Sequence, residues 1–384
     1  MGKQKWTVVM LMIVAACFAH AESDTNETPG LNLSGYYKNL LAKSDTFIGP
    51  VQPYTLDLNR LRLQLQGELS QHVSIDVRYD NEILLGNYLH TPQFQMQKDM
   101  QSGQYWSGDS NYFENANVNA RHRFYRASMT VNHGDTDLKF GRQRIAWGTG
   151  RFWSPLDLLN PIAATQLERE EHPGVDAVMV ERKFSPLSRF SVVYAPQHDR
   201  SNDSMAAQFH GNANAVDYSI VFGKFQQDHT VGFDIATQLG SAGIRGELTY
   251  TRPGVADAYR RSLIGIDYAF ANTLTLSAEY YYNGIGTSDA ARYDFNALFA
   301  GRIQSLARHY AGLYVSYEIT PLLKWNNYAV ANLDDRSHYF LPNVVYSVRE
   351  NLDWTIGIQS FGGSQASEYG RMPVLYYTQL QWFF

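Results

Sequence analysis

Leu375-Tyr376-Tyr377-Thr378-Gln379-Leu380-Gln381-Trp382-Phe383-Phe384 is the stretch on which the fold reading turns. Tyr376, Thr378, Leu380, Trp382 and Phe384 fall on one face at a spacing of two, and Tyr377, Gln379 and Gln381 fall on the other. Successive side chains of a strand point to opposite faces, so this is a strand with one apolar, aromatic face and one polar face. The same alternation recurs upstream. Leu61, Leu63, Leu65 and Leu69 alternate with Arg62, Gln64, Gln66 and Glu68. Val73, Ile75, Val77 and Tyr79 alternate with Ser74, Asp76, Arg78 and Asp80. Val231–Ile235, Leu274–Tyr282 and Leu352–Ile358 repeat it in runs of about 10 residues, the length of a tilted membrane-spanning strand.

Two environments produce that pattern, a packed sandwich and a barrel in lipid. Composition leans toward the second. Aromatics are 14% of the 384 residues, led by 26 Tyr, and charged residues are 18%, against about 25% in ordinary soluble chains. Mean hydropathy is −0.34, and no later segment offers a helix-length apolar run. The start decides between them. Lys3 and Lys5 precede an apolar core from Trp6 to Phe18, and Ala19-His20-Ala21 is a small-x-small cleavage site. Residues 1–21 are therefore expected to be a secretion signal and 22–30 a short periplasmic leader, with export through the Sec pathway. Val14-Ala15-Ala16-Cys17 supports a competing reading in which Cys17 is lipidated. Cys17 is the one cysteine, so its removal would exclude disulfides and thiolate metal sites.

Turn lengths give an independent test. Short turns are expected at Ser70-Gln71, Gly134-Asp135, Ser185-Pro186, Ala213-Asn214, Gly240-Ser241, Ala271-Asn272, Thr320-Pro321 and Glu350-Asn351. Longer connections lie between them at 41–53, 86–120, 148–174, 197–203, 225–228, 252–258, 285–307, 333–336 and 362–371. Strict alternation of short periplasmic turns and long outer loops cuts residues 31–384 into an all-β, antiparallel, up-and-down transmembrane barrel of about 18 strands, with 16 as the alternative. A barrel of that size encloses an aqueous channel.

The third outer loop, 148–174, carries the apolar Trp153, Pro155, Leu156, Leu158 and Leu159 and then a charged run. An apolar loop is poorly placed in water outside a cell, so an inward fold is expected. The constriction candidates are Arg151, Trp153, Asp157, Glu168, Arg169, Glu170 and Glu171. Strand phase nominates Arg60, Arg62, Arg78, Arg126, Arg245, Glu247, Asp267, Glu279, Glu318 and Asp353 as lumen-lining residues, with Arg261 beside them. Arg142 and Arg144 join them although Leu138 and Phe140 share their phase, which a bulge or a place at the outer rim would explain. Charge of one sign on a pore wall sets ion preference, and here the signs are mixed.

The segment Phe140-Gly141-Arg142-Gln143-Arg144-Ile145-Ala146-Trp147-Gly148, followed by Ser154-Pro155-Leu156-Asp157-Leu158-Leu159-Asn160-Pro161, resembles the G-R-Q…W-G…P-x-D…N-P stretch of large porin-like outer-membrane proteins, the alginate-export-like families among them. The resemblance covers about 25 residues and implies a passive channel whose first long lumenal loop follows this strand. The terminal strand, with Tyr376, Leu380, Trp382 and Phe384, resembles the signal read by the bacterial barrel-assembly machinery. Expected partners are thus that machinery, outer-membrane lipid and lipopolysaccharide, and a small hydrophilic solute, in a homotrimer if the porin habit holds. The competing function is a scaffold or export barrel holding a polysaccharide-export subunit or a multihaem cytochrome.

Other classes find little support. With Lys3 and Lys5 removed from 32 basic residues against 37 acidic ones, the mature chain is net negative, which argues against nucleic acid. The sequence has no H-x-x-x-H metal spacing, C-x-x-C-H haem motif or G-x-S-x-G elbow, so no cofactor, metal or catalytic residue is expected.

Overall fold

The computed structural model describes residues 30–99, 104–161, 163–167, 174–299 and 303–384. The signal peptide, Cys17 included, and the leader up to residue 29 lie outside the described residues, as do Glu168, Arg169, Glu170 and Glu171.

The chain runs through β1 (Leu31–Asp45), β2 (Pro53–Ser70), β3 (Val73–Leu85), β4 (Asp109–Glu114), β5 (Val118–His133), β6 (Thr136–Gln143), β7 (Val175–Ser185), β8 (Ser188–Ala195), β9 (Ser204–Ala213) and β10 (Val216–Phe225). It continues through β11 (Asp228–Leu239), β12 (Ala242–Arg252), β13 (Tyr259–Ala269), β14 (Thr275–Asn283), β15 (His309–Thr320), β16 (Leu323–Asn332), β17 (His338–Arg349), β18 (Leu352–Gly362) and β19 (Leu375–Phe383). Eighteen of these pair antiparallel, each with its sequence neighbours, and β1 closes the ring on β19 from Tyr36↔Phe383 to Lys43↔Tyr376. Phe384 extends the closure by exchanging two backbone hydrogen bonds with Gly35, at 2.9 and 3.0 Å. The nineteenth strand, β4, lies on the edge of β5 over residues 119–123, which β6 leaves free because its own ladder stops at Ala127.

All eight expected short turns occur, and the alternation of short and long connections holds. The 41–53 connection is shorter than expected, because β1 keeps its pairing through Asp45. The 86–120 connection is not structureless. It holds a 3-10 turn (Asn87–His90), a helix (Pro92–Asp99) and β4, whose sequence DSNYFE has no apolar alternation to announce it.

The burial pattern is that of a membrane barrel. Phe222, Val231, Phe233, Leu248, Ile264, Leu313, Ile356 and Tyr376 are among the large apolar side chains exposed on the outward phase. The buried residues of the opposite phase include Arg62, Glu82, Thr249, Ser277 and Glu279. A soluble sandwich would reverse this, with the apolar phase buried. Closure also leaves no unpaired strand edge for the hydrocarbon to face.

Replacing Phe233, in the middle of β11 and on the apolar phase, by Arg should destabilise the folded barrel by about 2–4 kcal/mol. Urea unfolding in lipid vesicles, followed by the heat-dependent shift in gel migration, measures the change; an unchanged midpoint would contradict the lipid-facing assignment.

Candidate functional site

The inner phase of β1, β2, β3 and β5 carries a compact ionic wall. Arg62 is only 1% exposed and forks onto Asp80, with Nε–Oδ1 at 2.5 Å and Nη2–Oδ2 at 2.6 Å. Its guanidinium also lies over the rings of Tyr125, at 4.1 Å, and Tyr36, at 5.3 Å. Arg60 and Arg121 donate to opposite oxygens of the buried Glu82, at 2.7 and 2.6 Å. Arg78 pairs with Asp76 at 3.0 Å, and Arg126 approaches the same carboxylate at 3.9 Å. Lys38 of β1 is buried beside Arg60 in the β1–β2 ladder. Removing one partner from such a pair leaves an uncompensated buried charge, at a cost of about 3–5 kcal/mol.

Arg60, Arg62, Arg78 and Arg126 therefore stand together in the phase assigned from sequence. Lys38, Asp80, Glu82 and Arg121 were missed. Asp80 and Glu82 extend the alternation of β3 at a spacing of two, whereas Arg121 is out of phase with Arg126 and reaches this face through the register shift opposite Arg78 and Tyr79, which leaves Tyr125 as an extra residue in β5. Arg142 sits elsewhere. Its ladder partner is Asp176, which it contacts at 2.9 Å, and its guanidinium donates to the carbonyls of Phe124 and Trp106 beneath the 104–109 segment. No register shift interrupts β6, so the phase conflict is met by this cover and not by a bulge. Arg144 follows the strand end and is exposed.

A second group lies on β12–β14. Arg245 donates to Glu279 at 2.8 and 3.0 Å, contacts Asp267 through Nη1, and reaches Ser277 at 2.9 Å. Arg261 donates to Asn283 at 3.3 Å. Glu318 and Asp353 are near the ends of their strands by the short turns, and Asp353 accepts from Ser347 at 2.8 Å.

The connection after Trp147 meets this group. Glu247 Oε1 accepts the backbone N–H of Thr149 and of Gly150, and Oε2 accepts Ser154 Oγ at 2.9 Å and the Leu156 N–H at 3.2 Å. Glu279 accepts the N–H groups of Arg151 and Phe152. With the Thr149 hydroxyl, which donates to Glu247 at 3.2 Å, a run of chain with no ladder of its own thus delivers seven donors to two carboxylates. The side chains are seated too. Trp153 stacks on Tyr281 with centroids 5.3 Å apart and planes at 12°. Phe152 lies edge-on to Tyr328 and fills the space a side chain at Gly312 would take, 2.7 Å from the position of its Cβ. Arg151 lies over Tyr314 at 4.6 Å. Ile145, Trp147 and Leu156 pack with Val175, Val193 and Val221, Asp157 is buried, and Gln359 of β18 donates to the Thr165 carbonyl at 3.2 Å. Gly148 has φ +93°, and a Cβ there would stand 2.8 Å from both Glu247 oxygens, which is why glycine follows Trp147.

Beyond the strands, the outer connections bury a second carboxyl besides that of Asp157. Glu368, between β18 and β19, accepts from Tyr310 at 2.7 Å, Asn332 at 2.8 Å and the Leu306 N–H at 3.2 Å. Burial pushes its pKa up to about 7 despite those donors, and the Asp335 carboxylate adds to the rise.

No protein-family model matches the chain, and no curated protein matches it. Solved structures do. OprD of Pseudomonas aeruginosa superposes with a TM-score of 0.58 at 8% identity, covering 92% of this chain and 93% of that one. OccAB1 of Acinetobacter baumannii gives 0.57 at 11% identity, over 94% and 99%. OpdK of P. aeruginosa, solved with vanillate, gives 0.56 at 10% identity, over 92% and 98%. The fold is that of the OprD and Occ porins. This OprD/Occ likeness supports the large-porin side of the resemblance and gives no support to its alginate-export-like side.

The raised pKa of Glu368 makes the outer-loop cluster pH-sensitive. Between about 4.5 and about 7 the folded cluster holds a proton that the unfolded segment has lost, so its stability is full below about 4.5 and falls as pH rises through 7. The loss is roughly 3 kcal/mol. Protection factors of the amides across 363–374 should fall over that window in the wild type and stay level in Glu368→Gln; a level wild-type profile would contradict the assignment.

Proposed function

We propose that the chain is an outer-membrane channel for passive passage of small hydrophilic or charged solutes, and that the segment after Trp147 constricts it. The observation that carries this reading is the pair of carboxylates on β12 and β14. Glu247 and Glu279 share the phase of Thr249, Ser277 and Arg245, opposite the apolar belt of Leu248, Ile264 and Tyr280. A segment bonded to them runs inside the barrel and shares the lumen with the solute. Its seating reaches from the Ile145, Trp147 and Leu156 cluster to Gln359 of β18, so it spans much of the inner circumference. The remaining lumen runs past the Arg60–Arg62–Arg121 wall, whose guanidiniums and carboxylates are engaged with one another.

In such a channel the solute is stripped of part of its water at the constriction and meets fixed charge of both signs, so selectivity depends on size and on local pairing more than on net charge. The OprD/Occ fold, seen in OpdK with vanillate bound, fits a channel for small solutes.

Planar-bilayer conductance tests the reading. The purified protein should give discrete ohmic steps, and a closed trace would favour a scaffold barrel instead. Glu247→Ala removes the acceptor of five donors, each worth about 1.5–3 kcal/mol to a charged partner, and should raise single-channel conductance several-fold, with Glu247→Gln intermediate. Gly312→Val, which displaces Phe152, should act in the same direction. Unchanged conductance in all three would refute the constriction.

A further inference from the structure

The apolar belt is interrupted on one side. On the outward phase of β14, β15 and β16 the side chains shrink to Ala278, Ala311, Ala329 and Ala331, while Ile264 and Phe340 stand up on either flank. The result is a furrow of about 930 Å³ in the outer wall. Its upper end, toward the long loops, turns polar: the Tyr280 hydroxyl meets His309 Nδ1 at 2.7 Å, and His338 and Ser360 close the lining.

Beside that end runs a row of cations. Lys224, His229 and Arg252 are register neighbours across β10, β11 and β12, and Arg260 of β13 lies opposite Tyr250. All four share the outward phase of Phe222, Val231, Tyr250 and Ile264. Lys224, Arg252 and Arg260 form no ion pair among the described residues, and the outward phase of β10 to β17 contains no carboxylate. The buried guanidiniums of the inner wall are paired; these outer ones are left for something else.

We propose that this face is a binding site for the doubly phosphorylated glycolipid of the outer leaflet, with one acyl chain in the alanine-floored furrow and its phosphates on Arg252 and Arg260. The occupant follows from charge and polarity. An apolar trough roofed by hydrogen-bonding groups and flanked by unpaired cations complements a ligand with hydrocarbon at one end and anionic oxygens at the other. Each cation near an anionic lipid surface strengthens the attraction, and the furrow adds apolar contact that a smooth wall lacks. The proposal rests on the outer-membrane reading above, since the ligand occurs only in that leaflet.

Native mass spectrometry of the full chain in detergent micelles, titrated with bisphosphorylated lipid A, tests it. A one-to-one adduct is expected. It should weaken about tenfold or more in the Arg252→Gln, Arg260→Gln double variant, and also in Ala311→Phe, which fills the furrow. The dephosphorylated lipid and phosphatidylglycerol should bind less tightly than lipid A. Heat-dependent gel migration verifies that each variant has folded. Equal affinity in wild type and both folded variants overturns the proposal, as does equal affinity for phosphatidylglycerol. A trimer that Ala311→Phe breaks into monomers also overturns it, with a second copy as the occupant. A folded barrel that sediments with the inner membrane would instead overturn the outer-membrane reading itself.

Discussion

Hydrocarbon offers no hydrogen bonds, so a strand in a membrane must find both of its neighbours within the chain. Everything else in this molecule depends on that constraint. It forces the ring to close, and the closure is made by the first and last strands, β1 and β19, with Gly35 and Phe384 at the seam. Once closed, the ring has an inside and an outside of opposite chemistry, and period-two alternation, reset at a few register shifts, sorts the strand residues between them. Leu61 and Arg62 are neighbours in sequence and face different solvents.

The inner surface then carries a cost of its own. Charges on a narrow wall are partly removed from water, and the chain answers by pairing them across strands: Arg62 with Asp80, Arg60 and Arg121 with Glu82, Arg245 with Glu279. Two inner carboxylates have a further duty. The segment after Trp147 has no ladder to satisfy its backbone, and Glu247 and Glu279 take the place of one by accepting the N–H groups of residues 149 to 152 and of Leu156. Such buried backbone donors must be met somewhere. The stacking of Trp153 on Tyr281 and the fit of Phe152 against Gly312 set where the loop sits once they are.

The fold was legible because its rule is local. Alternation places strands, and glycine, asparagine, serine and proline mark turns, so the eight short turns and the strand number of the ring could be read directly. β4 was not legible, because DSNYFE owes its strand to an edge that β6 vacates, which is a fact about a distant ladder. The site divides the same way. Phase alone brought out Arg60, Arg62, Arg78 and Arg126, but not that they are paired. Glu247 and Glu279 were read as charges on a wall, whereas their donors lie 98 and 128 positions away. Arg142 shows the converse: its phase conflicted with a lumenal role, and the conflict was informative, since the side chain lies under the 104–109 cover.

Pairing also gives a way to separate structural charge from functional charge. A guanidinium held by a carboxylate at 2.5–2.9 Å is largely committed, and contributes a field more than a binding site. Inside the barrel the described arginines are mostly of this kind, which suits a channel that must let its solute leave. On the outer rim, Arg252 and Arg260 stand where a carboxylate partner could have been placed, and none is. Exposed cations beside water need no explanation, but cations at the upper edge of a hydrocarbon belt face a specific neighbour. The same closure that gives the protein a lumen for solutes therefore gives it an outer wall that must be solvated by lipid. The contrast between paired charge inside and unpaired charge outside follows from what each side has to hold.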